Sequence, residues 1–112
     1  MLVILFEETR ADIEIHISAS ISSKGDLKIE GYDSGKLVQE LRGEWEYEYY
    51  LTVKKGNKER LIETLRNRKT EISNDKALLD WVKDNFSGNT AISSFQKYLT
   101  DEHIDFEVFY WK

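Results

Sequence analysis

The sequence contains no cysteine, no proline and no long apolar run. Without cysteine there can be no disulfide cross-link, thiolate zinc site or cysteine nucleophile. A membrane-spanning helix needs about 20 consecutive apolar residues, and no segment approaches that length. The apolar segment Met1–Phe6 is short and leads directly into Glu7 and Glu8. It therefore predicts a strand rather than a signal peptide, and together with the lack of cysteine it favours a cytoplasmic protein.

Hydrophobic residues make up 40% of the chain and aromatic residues 12%, which is enough for a folded core and excludes a disordered chain. A length of 112 residues is typical of one domain. We therefore predict a single α+β domain over residues 1–112.

Charge is distributed unevenly along the chain. The net charge is −6 over residues 1–53, +4 over residues 54–72 and −3 over residues 73–112. Nucleic-acid-binding proteins carry a dominant basic surface, because phosphate contacts supply much of their affinity. The basic block here is interrupted by Glu59, Glu63 and Glu71, which is typical of a solvated helix. We therefore predict a basic protein as the partner, and neither nucleic acid nor membrane.

Strict alternation of apolar and polar residues predicts the strands. In Asp12–Ile21 an apolar residue at every second position gives one apolar face: Ile13, Ile15, Ile17, Ala19 and Ile21. Gly25-Asp26 then supplies a hairpin turn. Further strands are predicted over Leu2–Glu7, Leu27–Gly31, Trp45–Lys54 and Ile104–Trp111. The predicted core faces of the last two comprise Trp45, Tyr47, Tyr49, Leu51 and Val53, and Ile104, Phe106, Val108 and Tyr110.

Four helices follow from apolar spacing and capping residues. The first is capped by Asp33 or Ser34, has Leu37, Val38 and Leu41 inward, and ends at Gly43. The other three are predicted to be capped by Asn57, by Ser73, and by Asn89 or Thr90. The predicted order is β-β-β-α-β-α-α-α-β, an α+β fold with a mainly antiparallel sheet of about five strands and helices packed on one face.

Two predicted strands carry carboxylates and aromatic side chains on the face opposite the core. A row of like charges destabilises a strand unless water screens it or a cation meets it. Exposed aromatic side chains are typical of binding surfaces, although a helix or loop can also cover them. The candidate partner-binding residues are Glu44, Glu46, Glu48, Tyr50, Asp105, Glu107, Phe109 and Trp111.

No other pattern points to a reaction. His16 and His103 are far apart in the sequence and share no motif, although a pair of His16 with a carboxylate is an open alternative. The segment Gly31–Gly35 lacks the spacing of a phosphate-binding loop and predicts a turn with a helix cap. We predict no catalytic residue, no cofactor and no metal.

The segment Gly31–Gly43, followed by Glu46–Val53, resembles small uncharacterised bacterial proteins, and Phe86–Asn89 and the aromatic C-terminal strand are similar as well. Such proteins look like cognate immunity proteins of polymorphic or contact-dependent toxin systems, which are small, acidic, cytoplasmic α+β proteins. The resemblance implies a non-catalytic inhibitor of a basic toxin domain, such as a nuclease. The alternatives are a homodimeric interaction module and a small enzyme that uses a His–carboxylate pair; whether the chain is a monomer or a homodimer is left open.

Overall fold

A computed structural model describes residues 1–111, and for Trp111 its backbone alone. Five strands form one antiparallel sheet whose spatial order follows the chain order. The strands are β1 (Leu2–Thr9), β2 (Glu14–Ile21), β3 (Leu27–Ser34), β4 (Glu46–Val53) and β5 (Glu107–Trp111). The helices are α1 (Lys36–Arg42), α2 (Lys55–Asn67), α3 (Asp75–Asn85) and α4 (Ala91–Asp101). The predicted fold class and element order are confirmed.

One hydrophobic cluster joins the sheet to the helices. Inward residues of the central strands are fully buried, as Ile29 and Leu51 illustrate. They pack with inward residues of three helices, including Leu61 of α2, Leu79 of α3 and Phe95 of α4. Alternation therefore gives the sheet one face that is covered by the core and one that faces away from it. Within the described chain, every helix is too short or too polar to cross a membrane.

The segment Gly31–Gly35 is not the predicted strand break. β3 continues through Ser34, and the residue that precedes α1 is Gly35, in a conformation with φ of 118°. The last predicted inward residue of α1, Leu41, is 74% exposed, so that prediction is wrong. The short helix buries only Val38. It does end as predicted, at Gly43 in the left-handed conformation.

The predicted bounds of the two aromatic strands are also corrected. β4 begins at Glu46, so Trp45 lies in the preceding bend, where it is 60% exposed instead of buried. β5 begins at Glu107, although Ile104 before it is buried as predicted. Tyr110, on the predicted core face of β5, is 56% exposed.

Two helices begin at residues other than the predicted ones. α2 starts at Lys55, not after Asn57, and the carboxylate of Asp26 accepts its N–H at 2.9 Å. The cap of α3 is Asn74 rather than its neighbour Ser73. Thr90 precedes α4, as predicted. The basic segment is not wholly solvated either, because Lys58 is buried and bonds Asp75 of α3 at 2.9 Å.

Candidate protein-binding face

The side of the sheet away from the helices is the candidate site, and we call it the acidic face. Its members follow from the strand register, because directly paired residues of neighbouring strands point to the same side. One row across the sheet runs Ile4, Ser18, Glu30, Tyr50, Phe109. The next runs Glu7, His16, Tyr32, Glu48. The flanking rows add Leu2, Ser20, Lys28, Thr52 and Glu107 on one side, and Thr9, Glu14, Ser34 and Glu46 on the other.

The structure brings most of the predicted binding residues together. Glu46, Glu48 and Tyr50 of β4 share the acidic face with Glu107 and Phe109 of β5.

The other three predicted binding residues are not placed on the acidic face by the structure. Glu44 and Asp105 precede their strands and so lie outside the sheet. Trp111 pairs with Glu48 by backbone register, but its side chain lies outside the described part of the chain.

Sequence reasoning missed the neighbours of this cluster. His16, Glu30 and Tyr32 come from β2 and β3 and line a hollow of about 230 Å³ together with Glu48 and Tyr50. The available signal was the continued alternation of Lys28, Glu30, Tyr32 and Ser34 past Gly31. A glycine inside a strand pattern usually indicates a turn or a bulge. The predicted strand was therefore ended at Gly31, and the residues after it were not assigned to the sheet.

The acidic face carries an excess of negative charge. Glu7 and Glu14 share His16, and Glu107 lies 3.5 Å from the Lys54 ammonium. Within residues 1–111, no cation lies within ion-pair distance of the remaining carboxylates, which are Glu30, Glu46 and Glu48. Cross-strand like charges repel, so a cation placed over these three groups would be stabilised.

Two phenols lie beside the carboxylates, and the Tyr50 hydroxyl bonds to one of them. The Tyr50 hydroxyl donates to Glu48 Oε2 at 2.5 Å, and this bond, with Glu30 nearby, raises the pKa of Tyr50 to about 12. The carboxylate of Glu46 beside Tyr32 likewise raises the pKa of that phenol. Both hydroxyl groups therefore stay protonated at neutral pH. The aromatic rings of the two tyrosines lie next to the negative charges of the glutamates.

His16 sits at the edge of the hollow between two carboxylates. Its Nε2 lies 2.8 Å from Glu14 Oε1, and its Nδ1 lies 3.4 Å from Glu7 Oε1. The hydrogen bond to Glu14, and then that to Glu7, raise the pKa of His16 above 6.5 against the opposing effect of burial. The charge of the acidic face thus depends on pH near neutrality.

Apolar side chains flank the charged centre. On β5, Phe109 is 54% exposed and its ring centroid lies 6.3 Å from that of Tyr50. On β1, at the opposite edge, Leu2 is 57% and Ile4 is 40% exposed. Charged carboxylates between exposed apolar and aromatic side chains can both steer a basic partner and give it desolvated contacts.

The acidic face presents carboxylates, phenols and one imidazole, which are groups that can recognise a basic partner. Within the described residues, no group of three or more His, Asp and Glu side chains is placed to hold a metal ion. His16 bonds Glu7 and Glu14, and Ser18 of the same strand lines the same hollow. Searches against protein-family models, curated proteins and solved structures gave no match for this chain.

Proposed function

We propose that the protein is a non-catalytic inhibitor that binds a basic protein through the acidic face, in the manner of an immunity protein that neutralises a toxin domain. The observation that carries this proposal is a sheet face on which three carboxylates have no cation partner among residues 1–111, flanked by exposed aromatic and aliphatic side chains. Repulsion among these carboxylates destabilises the free protein. A basic partner would be attracted to them and would relieve the repulsion.

The hollow between Glu30 and Glu48 suits one basic side chain of the partner. Its volume of about 230 Å³ is small, and its walls combine the two carboxylates with the rings of Tyr32 and Tyr50. A guanidinium group can bond carboxylates and stack on an aromatic ring at the same time. We therefore expect an arginine of the partner to bind at the centre of the acidic face.

A nuclease toxin is the partner class that this chemistry fits best. Nucleases hold phosphates with lysine and arginine, so their active sites offer a basic surface of the required sign. An inhibitor that covers such a surface with carboxylates competes directly with the substrate. The apolar residues at the rim then contribute the desolvated contacts that slow dissociation.

The proposal predicts that a neighbouring gene encodes a toxin domain, and co-expression with that domain tests it. Wild-type protein should restore the growth of cells that express the toxin and should bind the purified toxin domain in calorimetry. The double variant Glu30→Lys, Glu48→Lys should lose at least a hundredfold in affinity, about 2.7 kcal/mol, because it reverses the charge of the hollow.

A matched control has the same charge change on another surface. Glu59 and Glu63 are exposed on α2, so Glu59→Lys with Glu63→Lys should bind and protect like the wild type. Equal binding by the two double variants would overturn the role of the acidic face. Failure of the wild-type chain to neutralise the neighbouring toxin, or a stable homodimer that buries Tyr50, would overturn the inhibitor function and favour the homodimeric module.

A further inference from the structure

A second concave surface lies on the helix side of the sheet, away from the acidic face. We call it the tyrosine cleft. Its sheet wall comprises Asp33 of β3, Tyr47 and Tyr49 of β4 and Tyr110 of β5. Its helix wall is the start of α4, and Arg42 at the end of α1 lies at one side. The volume of about 400 Å³ lies within the range of small-molecule sites.

The residue types in this cleft are unusual for a position that faces the core. At the other end of the same strands, the inward positions are aliphatic and fully buried, as with Leu27 and Val53. Here the inward positions hold a carboxylate and three phenols. The facing wall holds Ser93 and Gln96 of α4, Asn89 in the turn before that helix, and the apolar Ile92. Ile13 and Ile15 also line the sheet wall. Both walls thus combine aliphatic and polar groups, where aliphatic side chains alone would have closed the gap.

The tyrosines form a continuous aromatic wall. The ring centroid of Tyr47 lies 5.6 Å from that of Tyr49 and 6.0 Å from that of Tyr110. Tyr49 is held in place by its hydroxyl, which donates to Asp33 Oδ1 at 3.1 Å. The guanidinium of Arg42 lies 4.0 Å above the ring of Tyr47. The wall is therefore oriented by contacts of its own before any ligand arrives.

Several polar groups in the cleft have unused hydrogen-bonding capacity. Within residues 1–111, Arg42 has no carboxylate within ion-pair distance, and the side-chain amides of Asn89 and Gln96 have no hydrogen-bond partner. These groups supply both donors and acceptors. A ligand that lies in the cleft must bond to them, because an apolar one would leave them desolvated and unpaired.

The charges in the cleft restrict the ligand further. The Asp33 carboxylate would repel an anion, and the Arg42 guanidinium would repel a cation. A neutral ligand with many hydroxyl groups and one apolar ring face meets all of these conditions. We propose that the tyrosine cleft binds a saccharide, whose ring lies against the tyrosines and whose hydroxyl groups bond to Arg42, Asn89 and Gln96. This site is independent of the acidic face and of the inhibitor function.

Titration of the isotope-labelled protein with simple glycosides tests the proposal. The probes are methyl glucoside, methyl galactoside and N-acetylglucosamine, each up to roughly 50 mM, at which a site of millimolar affinity is nearly saturated. Benzoate serves as an aromatic anion for comparison. At least one glycoside should shift the side-chain amide signals of Asn89 and Gln96 and leave the signals of the acidic face unchanged.

Two variants and two controls locate the site. Tyr110→Ala and Gln96→Ala should each weaken glycoside binding about tenfold, the effect of losing one good contact. Tyr32→Ala, on the acidic face, and Lys97→Ala, next to Gln96 on α4, should leave glycoside binding unchanged. Thermal melts of all four variants check that the fold is intact.

The outcomes are distinct from those for the inhibitor function. The Tyr110 and Gln96 variants should neutralise the toxin as well as the wild type does. No shift with any glycoside, shifts confined to benzoate, or equal glycoside binding by Gln96→Ala and Lys97→Ala would each overturn the saccharide proposal. Loss of toxin binding in the two cleft variants would overturn it as well, since the cleft would then belong to the protein interface.

Discussion

Gly31 is the point at which the sheet makes room for an aromatic ring. A Cβ atom built on Gly31 would lie 1.9 Å from Cε2 of Tyr49, on the neighbouring strand. The glycine is required by that close approach and not by a turn. The sequence predicted a strand break here because local patterns carry no information about a ring that arrives from another strand.

We expect Gly31→Ala to lower the free energy of unfolding by about 1–3 kcal/mol, the usual cost of overpacking. Chemical denaturation measures the loss. The double variant Gly31→Ala, Tyr49→Ala should be more stable than the sum of the two single losses predicts, because removing the ring removes the clash. Additive losses would show that the methyl group clashes with something else.

Gly56 offers the matched control for this experiment. It lies in the first turn of α2, and a Cβ built there meets no atom within 4 Å. Gly56→Ala should therefore raise the free energy of unfolding by about 0.4–1 kcal/mol through the smaller entropy of the unfolded chain.

The stability of the protein and the charge of the acidic face depend on pH through His16. Its pKa is raised in the folded protein by Glu14 and Glu7, so the protonated form is favoured by folding. That contribution is fully present below the unfolded pKa of about 6.5 and is lost as the pH rises through the higher folded value.

An NMR titration of the His16 ring measures this shift directly. Glu14→Gln should lower the pKa of His16, since it removes the carboxylate that accounts for most of the shift. Glu63→Gln, on the helical side, is the control and should leave the titration unchanged. A pKa of His16 that does not respond to Glu14→Gln would contradict the assigned cause.

At the scale of elements, alternation and apolar spacing were sufficient to predict every strand and helix. These patterns did not predict the first residue of a helix whose start is fixed by a residue distant in the sequence. α2 begins at Lys55 because Asp26, in the β2–β3 hairpin, accepts its N–H. α3 begins one residue after its predicted start, with the local cap of Asn74 on the N–H of Ala77. Local caps are visible in a sequence, whereas a cap from another element is not.

Asp26→Ala should therefore destabilise the protein by about 1 kcal/mol, as the loss of a helix cap usually does. Asp26→Asn keeps an acceptor oxygen and should lose less. Glu71→Ala, at an exposed position between α2 and α3, should change the free energy of unfolding by no more than about 0.5 kcal/mol. If Asp26→Ala is as stable as Glu71→Ala, the hairpin carboxylate does not cap α2.

In the candidate site, too, the sequence predicted what depends on a single strand and missed what depends on neighbouring strands. Alternation along single strands predicted Glu46, Glu48, Tyr50, Glu107 and Phe109 on one face, and the structure places them there. The contributions of β2 and β3 were missed because strand order is a property of the whole sheet. Only when β3 lies beside β4 do Glu30 and Tyr32 complete the hollow.

At the scale of the whole molecule, charge is separated between the two sides of the sheet. The acidic face collects glutamates from all five strands, whereas the basic segment of residues 54–72 forms α2 and the turn after it on the helical side. A basic partner that approaches in solution is therefore attracted to one side of the protein and repelled by the other. Long-range attraction of this kind raises the association rate more than it slows dissociation.

Salt and point variants separate steering from anchoring in the complex with a basic partner. Between low and high salt, the association rate constant should fall about tenfold or more, because the range of the field shrinks to about 8 Å at physiological ionic strength.

Glu48→Gln should flatten this salt dependence and change dissociation little. Phe109→Ala should speed dissociation and leave the salt dependence intact, because Phe109 is 54% exposed in the free protein and a partner that covers it would desolvate its uncharged ring. Glu63→Gln, with the same loss of charge on α2, should change neither rate. An association rate that does not vary with salt would mean that the acidic face is a solvated surface, and the inhibitor function would lose its physical basis.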